Sequence, residues 1–209
     1  MNLAMGLVGT MSAVLLGLLL SSAKSGYDAE RKQVIQMAAK VAFLNQVLGL
    51  YGPEATESRT KLRAAIEEAL RRIWPKDGQS GLPPDFQTGD AVYATIESLS
   101  PRDDMQRSLK AEAVRLAMEL GELRSVLAAE SVPSLSRSML VIVVCWLVAI
   151  FLSFSLLSPP NDTATLALIV SAYSVASAFF LILELDEPFG GLIQISREPL
   201  LNALSQFAK

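Results

Sequence analysis

Three stretches of the chain, Leu3–Ala23, Ser138–Ser158 and Thr163–Leu183, contain no charged residue. Each matches the roughly 20 apolar residues that an α-helix needs to cross the hydrocarbon core of a bilayer. In lipid a helix satisfies its own backbone hydrogen bonds, which irregular segments cannot do. The chain is therefore expected to be all-α: an integral membrane protein with three transmembrane helices and a helical cytoplasmic segment between spans one and two. The expected boundaries are 1–23 for the first span, 24–137 for the polar segment, 138–185 for a hairpin of spans two and three, and 186–209 for an amphipathic tail.

The charges follow the same partition. Of 18 Lys and Arg, 16 lie between Lys24 and Arg137, as do 16 of the 21 Asp and Glu. That segment is formally neutral, which argues against nucleic acid as a partner, because phosphate recognition needs a basic face. There is no histidine, and the single cysteine, Cys145, lies in a span. His/Cys metal sites, Ser-His-Asp and Cys-His nucleophiles and intrachain disulfides are thereby excluded. Gly6-Leu7-Val8-Gly9 falls in a span and Gly190-Gly191 follows no strand, so neither is a phosphate loop. No catalytic residue, metal or cofactor is expected, and the chain does not read as an enzyme.

The first span has two readings. Ser21-Ser22-Ala23 would serve as a signal-peptide cleavage site, but the n-region lacks Lys and Arg and the apolar run is long for an h-region. Gly9, Ala13 and Gly17 recur every fourth residue, a small-residue face that lets helices approach closely. The retained span is the leading expectation. Lys24, Arg31, Lys32 and Lys40 follow the first span and Arg124 and Arg137 precede the second, whereas Pro159-Pro160-Asn161-Asp162 carries no base. The positive-inside bias then places the central segment and the tail in the cytoplasm and residues 161–162 outside.

Helical periodicity continues past the first span over about Tyr27–Leu50, with Val34, Ala38, Val41, Phe43–Leu44, Val47 and Leu48 apolar and Tyr51-Gly52-Pro53 as a stop. A second helix, about Glu54–Ile73, carries Leu62, Ala65, Ile66, Ala69, Leu70 and Ile73 on one stripe and ends at Trp74-Pro75. Lys76–Asp85 reads as a loop and Asp90–Leu99 as a short helix. Ser100-Pro101 predicts an N-cap and first helical residue for a helix reaching about Ala129, with Met105, Leu109, Val114, Leu116, Leu120, Leu123 and Leu127 inward. Asp28–Lys32 and Glu67–Arg71 fit i,i+4 ion pairs. In the tail, Ser196 fits an N-cap for Glu198–Phe207, whose Leu200, Leu201, Leu204 and Phe207 make an apolar face.

The most unusual constellation closes span three. Glu184, Asp186 and Glu187 sit at a helix C-terminus, where the helix dipole already points negative. One reading is a solvated helix end partnered by Arg197 or another base. The other is a ring of carboxylates, one set per subunit, at the mouth of a cation pathway. Ser171 and Ser174 share a face of the same span with Ala167 and Ala178. That face suits close helix packing or a hydroxyl-lined path. In span two, Trp146, Phe151 and Phe154 suit lipid or interface contact.

Residues 138–204 resemble the bestrophin-like family of bacterial membrane proteins. The resemblance rests on Phe180–Leu183 running into Glu184-Leu185-Asp186-Glu187-Pro188-Phe189, then Gly191-Leu192-Ile193 and Ile195-Ser196-Arg197-Glu198-Pro199-Leu200. The family pattern carries over to Asp186, Pro188, Phe189, Gly191, Ser196, Glu198 and Pro199. The resemblance implies a multi-pass protein of the bacterial inner membrane, partnered by the lipid bilayer and by copies of itself. Members usually have two pairs of spans, so this chain is expected to lack the first. The resemblance also implies kinship with pentameric anion channels, whereas the acidic cluster favours cations. Two functions stay open: an oligomeric ion channel, and a non-conducting membrane-anchored interaction or regulatory protein.

Overall fold

The computed structural model describes residues 2–74, 86–130, 137–157 and 161–208. The loop expected at 76–85, the linker at Pro133 and the prolines 159–160 lie outside the described residues. The regular elements among the described residues are all helical: α1 (Asn2–Tyr51), α2 (Thr56–Ile73), α3 (Phe86–Glu97), α4 (Asp104–Glu130), α5 (Arg137–Leu157), α6 (Asp162–Asp186) and α7 (Glu198–Ser205), with 3-10 turns at Pro53–Ala55 and Gln206–Ala208. The chain divides into two compact units, one of Met1–Asp28 and Pro133–Pro188, the other of Ala29–Val132 and Phe189–Lys209.

Helix α1 runs unbroken through 50 residues, as the absence of proline allows. A lone glycine costs about 1 kcal/mol relative to alanine, too little to interrupt it at Gly26. It stops at Gly52, whose φ of 118° lies where only glycine sits without strain. Pro53 then opens the 3-10 turn, which Ala55 N–H closes on Gly52 O at 3.1 Å.

The first unit has a small core. Leu19 and Ala23 of α1 meet Val143 and Leu147 of α5 and Ile182 of α6, flanked by Leu16, Leu20, Val175, Phe179 and Leu185. Leu16, Leu19, Leu20 and Ala23 follow helical spacing, so the packed stripe is leucine-rich. The small-residue face is elsewhere. A methyl built on Gly9 or Gly17 meets no atom within 4 Å, and Ala13 is exposed. It is the leucine stripe, and not Gly9, Ala13 and Gly17, that makes the core contacts among the described residues. Among the described residues, two helices are long and apolar enough to cross a bilayer: α1, over Gly9–Tyr51, and α6. Helix α5 contributes a shorter apolar stretch, Leu140–Leu156. Only 6% of the apolar window of α6 is buried. Leu166, Ile169, Tyr173 and Phe180 on α6 face outward, as do Ile142, Trp146, Leu152, Phe154 and Leu156 on α5.

The second unit is a helical bundle with a buried apolar core. Val34, Ala38, Val41, Leu44, Val47, Leu48 and Tyr51 of α1 are buried along one helical stripe, mostly three or four residues apart. Leu62, Ile66 and Ile73 of α2, Val92 and Ile96 of α3, and Ala113, Leu116 and Leu127 of α4 are buried as well. Met105, expected inward, is exposed, and so is the apolar Phe43. Helix α4 also starts later than Ser100-Pro101 predicts. Asp103 is the cap: its Oδ1 accepts from Gln106 N–H at 2.6 Å, while Gln106 Oε1 accepts from Arg102 N–H at 2.8 Å. Asp103 thus caps the Gln106 amide while the Gln106 side chain reaches back to the Arg102 amide, so two amides at the helix start are satisfied without the serine three residues earlier. The surface ion pairs also differ from expectation. Glu67 takes Arg63 at 2.9 Å, and Arg71 takes Glu68 at 2.7 Å. Exposed pairs exchange partners at little cost.

Candidate functional site

Helix α6 begins with Asn161, whose side chain accepts from Thr163 N–H at 3.3 Å. Its apolar body carries three serines. Ser171, Ser174 and Ser177 donate to the carbonyls of Ala167, Val170 and Tyr173 at 2.8, 2.9 and 2.9 Å. Turning each hydroxyl back onto its own helix satisfies it without a neighbour, so an exposed face can carry it into an apolar medium.

The helix ends on the acidic cluster. Asp186 is the last helical residue and Glu187 the C-cap, with no base in the last turn of α6. Glu184 and Asp186 are half-buried, Glu187 is exposed and Pro188 is buried. Carboxylates here raise the negative potential of the exposed carbonyls. The structure brings Glu184, Asp186 and Glu187 into one turn. It does not bring Ser171 and Ser174 to them: at a rise of about 1.5 Å per residue these lie roughly 15–20 Å back along the axis. Within one chain the acidic turn and the serine face are separate features.

The family motif continues into the second unit, where its residues have structural work. Phe189 packs edge-on against Trp74, with ring centroids 5.5 Å apart and planes at 84°. Trp74 Nε1–H donates to the buried Ile195 carbonyl at 2.8 Å. Gly191 has a φ of 65°, and Gln194 Nε2 donates to its carbonyl at 2.9 Å, which holds the reversal of direction. The Ser196 hydroxyl accepts from Glu198 N–H at 3.2 Å, and Pro199 occupies the first turn of α7. Leu200 and Ala203 are buried, while Leu201 is exposed. The apolar face of the tail thus docks on the helical bundle through Leu200 and Ala203. Asn45 ties the same region together, accepting from Arg59 Nε at 2.9 Å and donating to Gln206 O at 3.4 Å.

Sequence reasoning missed Trp74 as the seat of the motif phenylalanine and Asn45 as a buried bridge. A tryptophan closing a helix just before a proline was the available signal for the first. A polar residue inside an otherwise apolar stripe was the signal for the second.

A family model described as a bestrophin-like domain matches residues 1–200. Two crystal structures of a bacterial bestrophin homolog from Klebsiella pneumoniae, each with a single substitution, share the fold. One superposes with a TM-score of 0.74 at 17% identity, covering 100% of this chain and 88% of that one. The other gives 0.73 at 16%, covering 99% and 87%. No curated protein matches the sequence. The chain belongs to the bestrophin-like family.

Proposed function

We propose that this bestrophin-like chain is a multi-pass protein of the bacterial inner membrane that assembles with copies of itself and conducts ions, without enzymatic chemistry. All three apolar segments act as spans, residues 24–137 and the tail face the cytoplasm, and residues 161–162 face the periplasm. The observation that carries the reading is α6: long enough to cross a bilayer, 6% buried along its apolar window, and ending in three carboxylates. Contiguous apolar surface of that extent belongs against lipid or another chain, not water. In a symmetric oligomer the cluster of Glu184, Asp186 and Glu187 repeats around the axis. Its summed field draws cations and repels anions, and salt screens it over about 10 Å at 0.1 M.

Purified protein in liposomes tests this. Glu184→Gln is expected to lower cation flux or move the reversal potential toward anions at low salt, with a smaller effect at high salt. If the wild-type protein passes no ions, the non-conducting interaction protein becomes the reading. If flux is present but Glu184→Gln leaves selectivity unchanged at low salt, the acidic turn lies off the pathway.

A further inference from the structure

One side of α6 has no partner in its own chain. Val175, Phe179 and Ile182 belong to the buried cluster of the first unit, with Leu16, Leu19, Leu20 and Ala23 of α1. On the opposite side Leu166, Val170, Tyr173, Ser177 and Phe180 recur at steps of four and three residues and are exposed. Tyr173 is the anomaly. It is 75% exposed, and among the described residues its hydroxyl has no hydrogen-bond partner. It is the twelfth of 25 residues in α6, roughly 16–20 Å from either end. A tyrosine that faces lipid carries its hydroxyl at headgroup level, and this one is too far from either surface to reach it. An unpaired hydroxyl in hydrocarbon is costly, so this face calls for a protein neighbour.

A second uncovered surface lies at the same depth. On α1, Thr10, Ala13 and Gly17 share a face and are exposed, and a methyl built on Gly17 meets no atom within 4 Å. The buried cluster draws residues 16–23 from α1 and 175–185 from α6. With residues 24–137 in the cytoplasm both helices run inward, so these two segments share one depth. Tyr173 lies about seven residues outward from the middle of its segment, roughly 10 Å along the axis, and the same step on α1 ends at Ser12 and Ala13. Copies related by rotation about the membrane normal keep every residue at its depth.

We propose that α6 of one copy packs into the Thr10, Ala13 and Gly17 face of α1 in the next copy, with the Tyr173 ring against Ala13 and its hydroxyl bonded to Thr10 at the same level. This contact rests on the self-association proposed above. The shapes match, because large side chains meet residues that let a helix approach closely. The polar groups match as well, because a threonine hydroxyl oxygen offers two acceptor lone pairs to the tyrosine donor. Leu166, Ile169, Val170, Tyr173 and Phe180, each more than half exposed, offer on the order of 500 Å² from one copy, so the two faces together cover on the order of the 1,000 Å² that a specific interface needs. Since the two faces differ, the contact is head-to-tail, and about an axis normal to the membrane it closes into a ring.

Cysteine pairs in the full chain, oxidised in native membranes with Cys145 replaced by Ala, test the contact. Ala13→Cys with Tyr173→Cys is expected to give covalent dimers, trimers and higher forms, since Cα atoms within about 7 Å can be bridged. Gly17→Cys with Ser177→Cys, one turn deeper on both helices, should do the same, and it serves if the first pair does not assemble. Ala13→Cys with Ser171→Cys, on the other side of α6, should not cross-link. Tyr173→Phe keeps the ring and loses the donor, so the oligomer in detergent should dissociate about 3- to 20-fold more readily, read as mass against dilution. If the wild type is monomeric, the self-association and this contact fall together. If it assembles but neither pair cross-links above the Ser171 control, this contact alone falls. It is also overturned if Tyr173→Cys alone yields dimers and nothing larger, which would pair α6 with itself. Rapid reaction of Tyr173→Cys with a charged thiol reagent, which would put the face in water, or unchanged dissociation of Tyr173→Phe, would overturn it too.

Discussion

Trp74→Phe isolates one buried hydrogen bond in the seat of the family motif. Phenylalanine keeps an aromatic ring for Phe189 to approach edge-on but removes the indole N–H that donates to Ile195 O at 2.8 Å. Ile195 is 2% exposed, so water does not readily replace that donor. A buried acceptor left without its partner costs about 1–3 kcal/mol. The loss of ring area adds to this only modestly, since most of the side chain remains. The effect should be local, because the carbonyl belongs to the segment that leads into α7. Hydrogen exchange of the amides of α7 measures it as an opening free energy. A cost in that range corresponds to roughly 5–150-fold faster exchange. Amides in the middle of α2 serve as the internal control and should change much less. Phe189→Leu should give a smaller acceleration, since an edge-to-face pair is worth about 0.5–1.5 kcal/mol beyond its area. Unchanged α7 exchange in Trp74→Phe would refute the claim that this bond anchors the tail. An equal acceleration throughout α2 would show that Trp74 supports the bundle generally, not the tail.

Three further outcomes are expected. With Cys145 replaced by Ala, a cysteine at position 162 should react with an impermeant thiol reagent in intact cells, and one at position 110 only in broken cells; the reverse pattern would invert the topology. Ala13→Ile or Gly17→Ile should lower the oligomer mass in detergent while leaving the bundle's thermal stability within about 0.5 kcal/mol, as for surface substitutions; unchanged mass in both would remove the small-residue face from the assembly. The Lys40 ammonium, which donates to Glu119, and Arg115 beside it hold the Glu119 carboxyl below the usual carboxylate range. A depressed folded-state pKa stabilises above the unfolded value near 4.3 and the benefit disappears as pH falls through the folded value. The Tm advantage of wild type over Glu119→Gln should therefore be present at pH 7 and shrink below about pH 4; an advantage that grows on acidification would contradict the ion-pair origin.

How much was legible depended on whether a signal was local. The run of α1 through Gly26 to Tyr51 could be read because proline is absent and the apolar steps of three and four persist. Its stop could be read because Pro53 disfavours helical backbone in the residue before it, and Gly52 can take the positive φ at which the helix ends. The start of α4 was missed by three residues because Ser100-Pro101 and Asp103 are both competent caps. The decision came from Gln106, whose amide donates to Asp103 and whose side chain accepts from Arg102 N–H. Gly9, Ala13 and Gly17 were legible as a face but not as a contact, since periodicity shows what a helix presents and not what it meets. The acidic turn was legible because charge at the negative end of a helix is conspicuous. The Trp74–Ile195 bond was not, because its partners are 121 positions apart and neither residue type announces the other.

The two units are held by different means, and this decides how any substitution should be interpreted. In the second unit, leucine, isoleucine and valine from five helical segments are buried, so loss of a core side chain leaves a cavity in the bundle and shows as unfolding. In the first, five residues form the buried cluster: Leu19, Ala23, Val143, Leu147 and Ile182. Most of the apolar surface of α5 and α6 points outward. A core that small is ill suited to hold three apolar helices together in water, but a bilayer removes the requirement. In lipid each helix satisfies its own backbone, and association depends on close packing and not on the exclusion of water. Substitutions on the outward faces of α5 and α6 should therefore leave the bundle intact and act on lipid fit or on contacts between copies. A variant such as Ile182→Ala should loosen the first unit without accelerating exchange in α4. Independent responses of the two units would mean that a lost ion flux, or a lost oligomer, can be traced to the membrane helices whenever the bundle's exchange profile is unchanged.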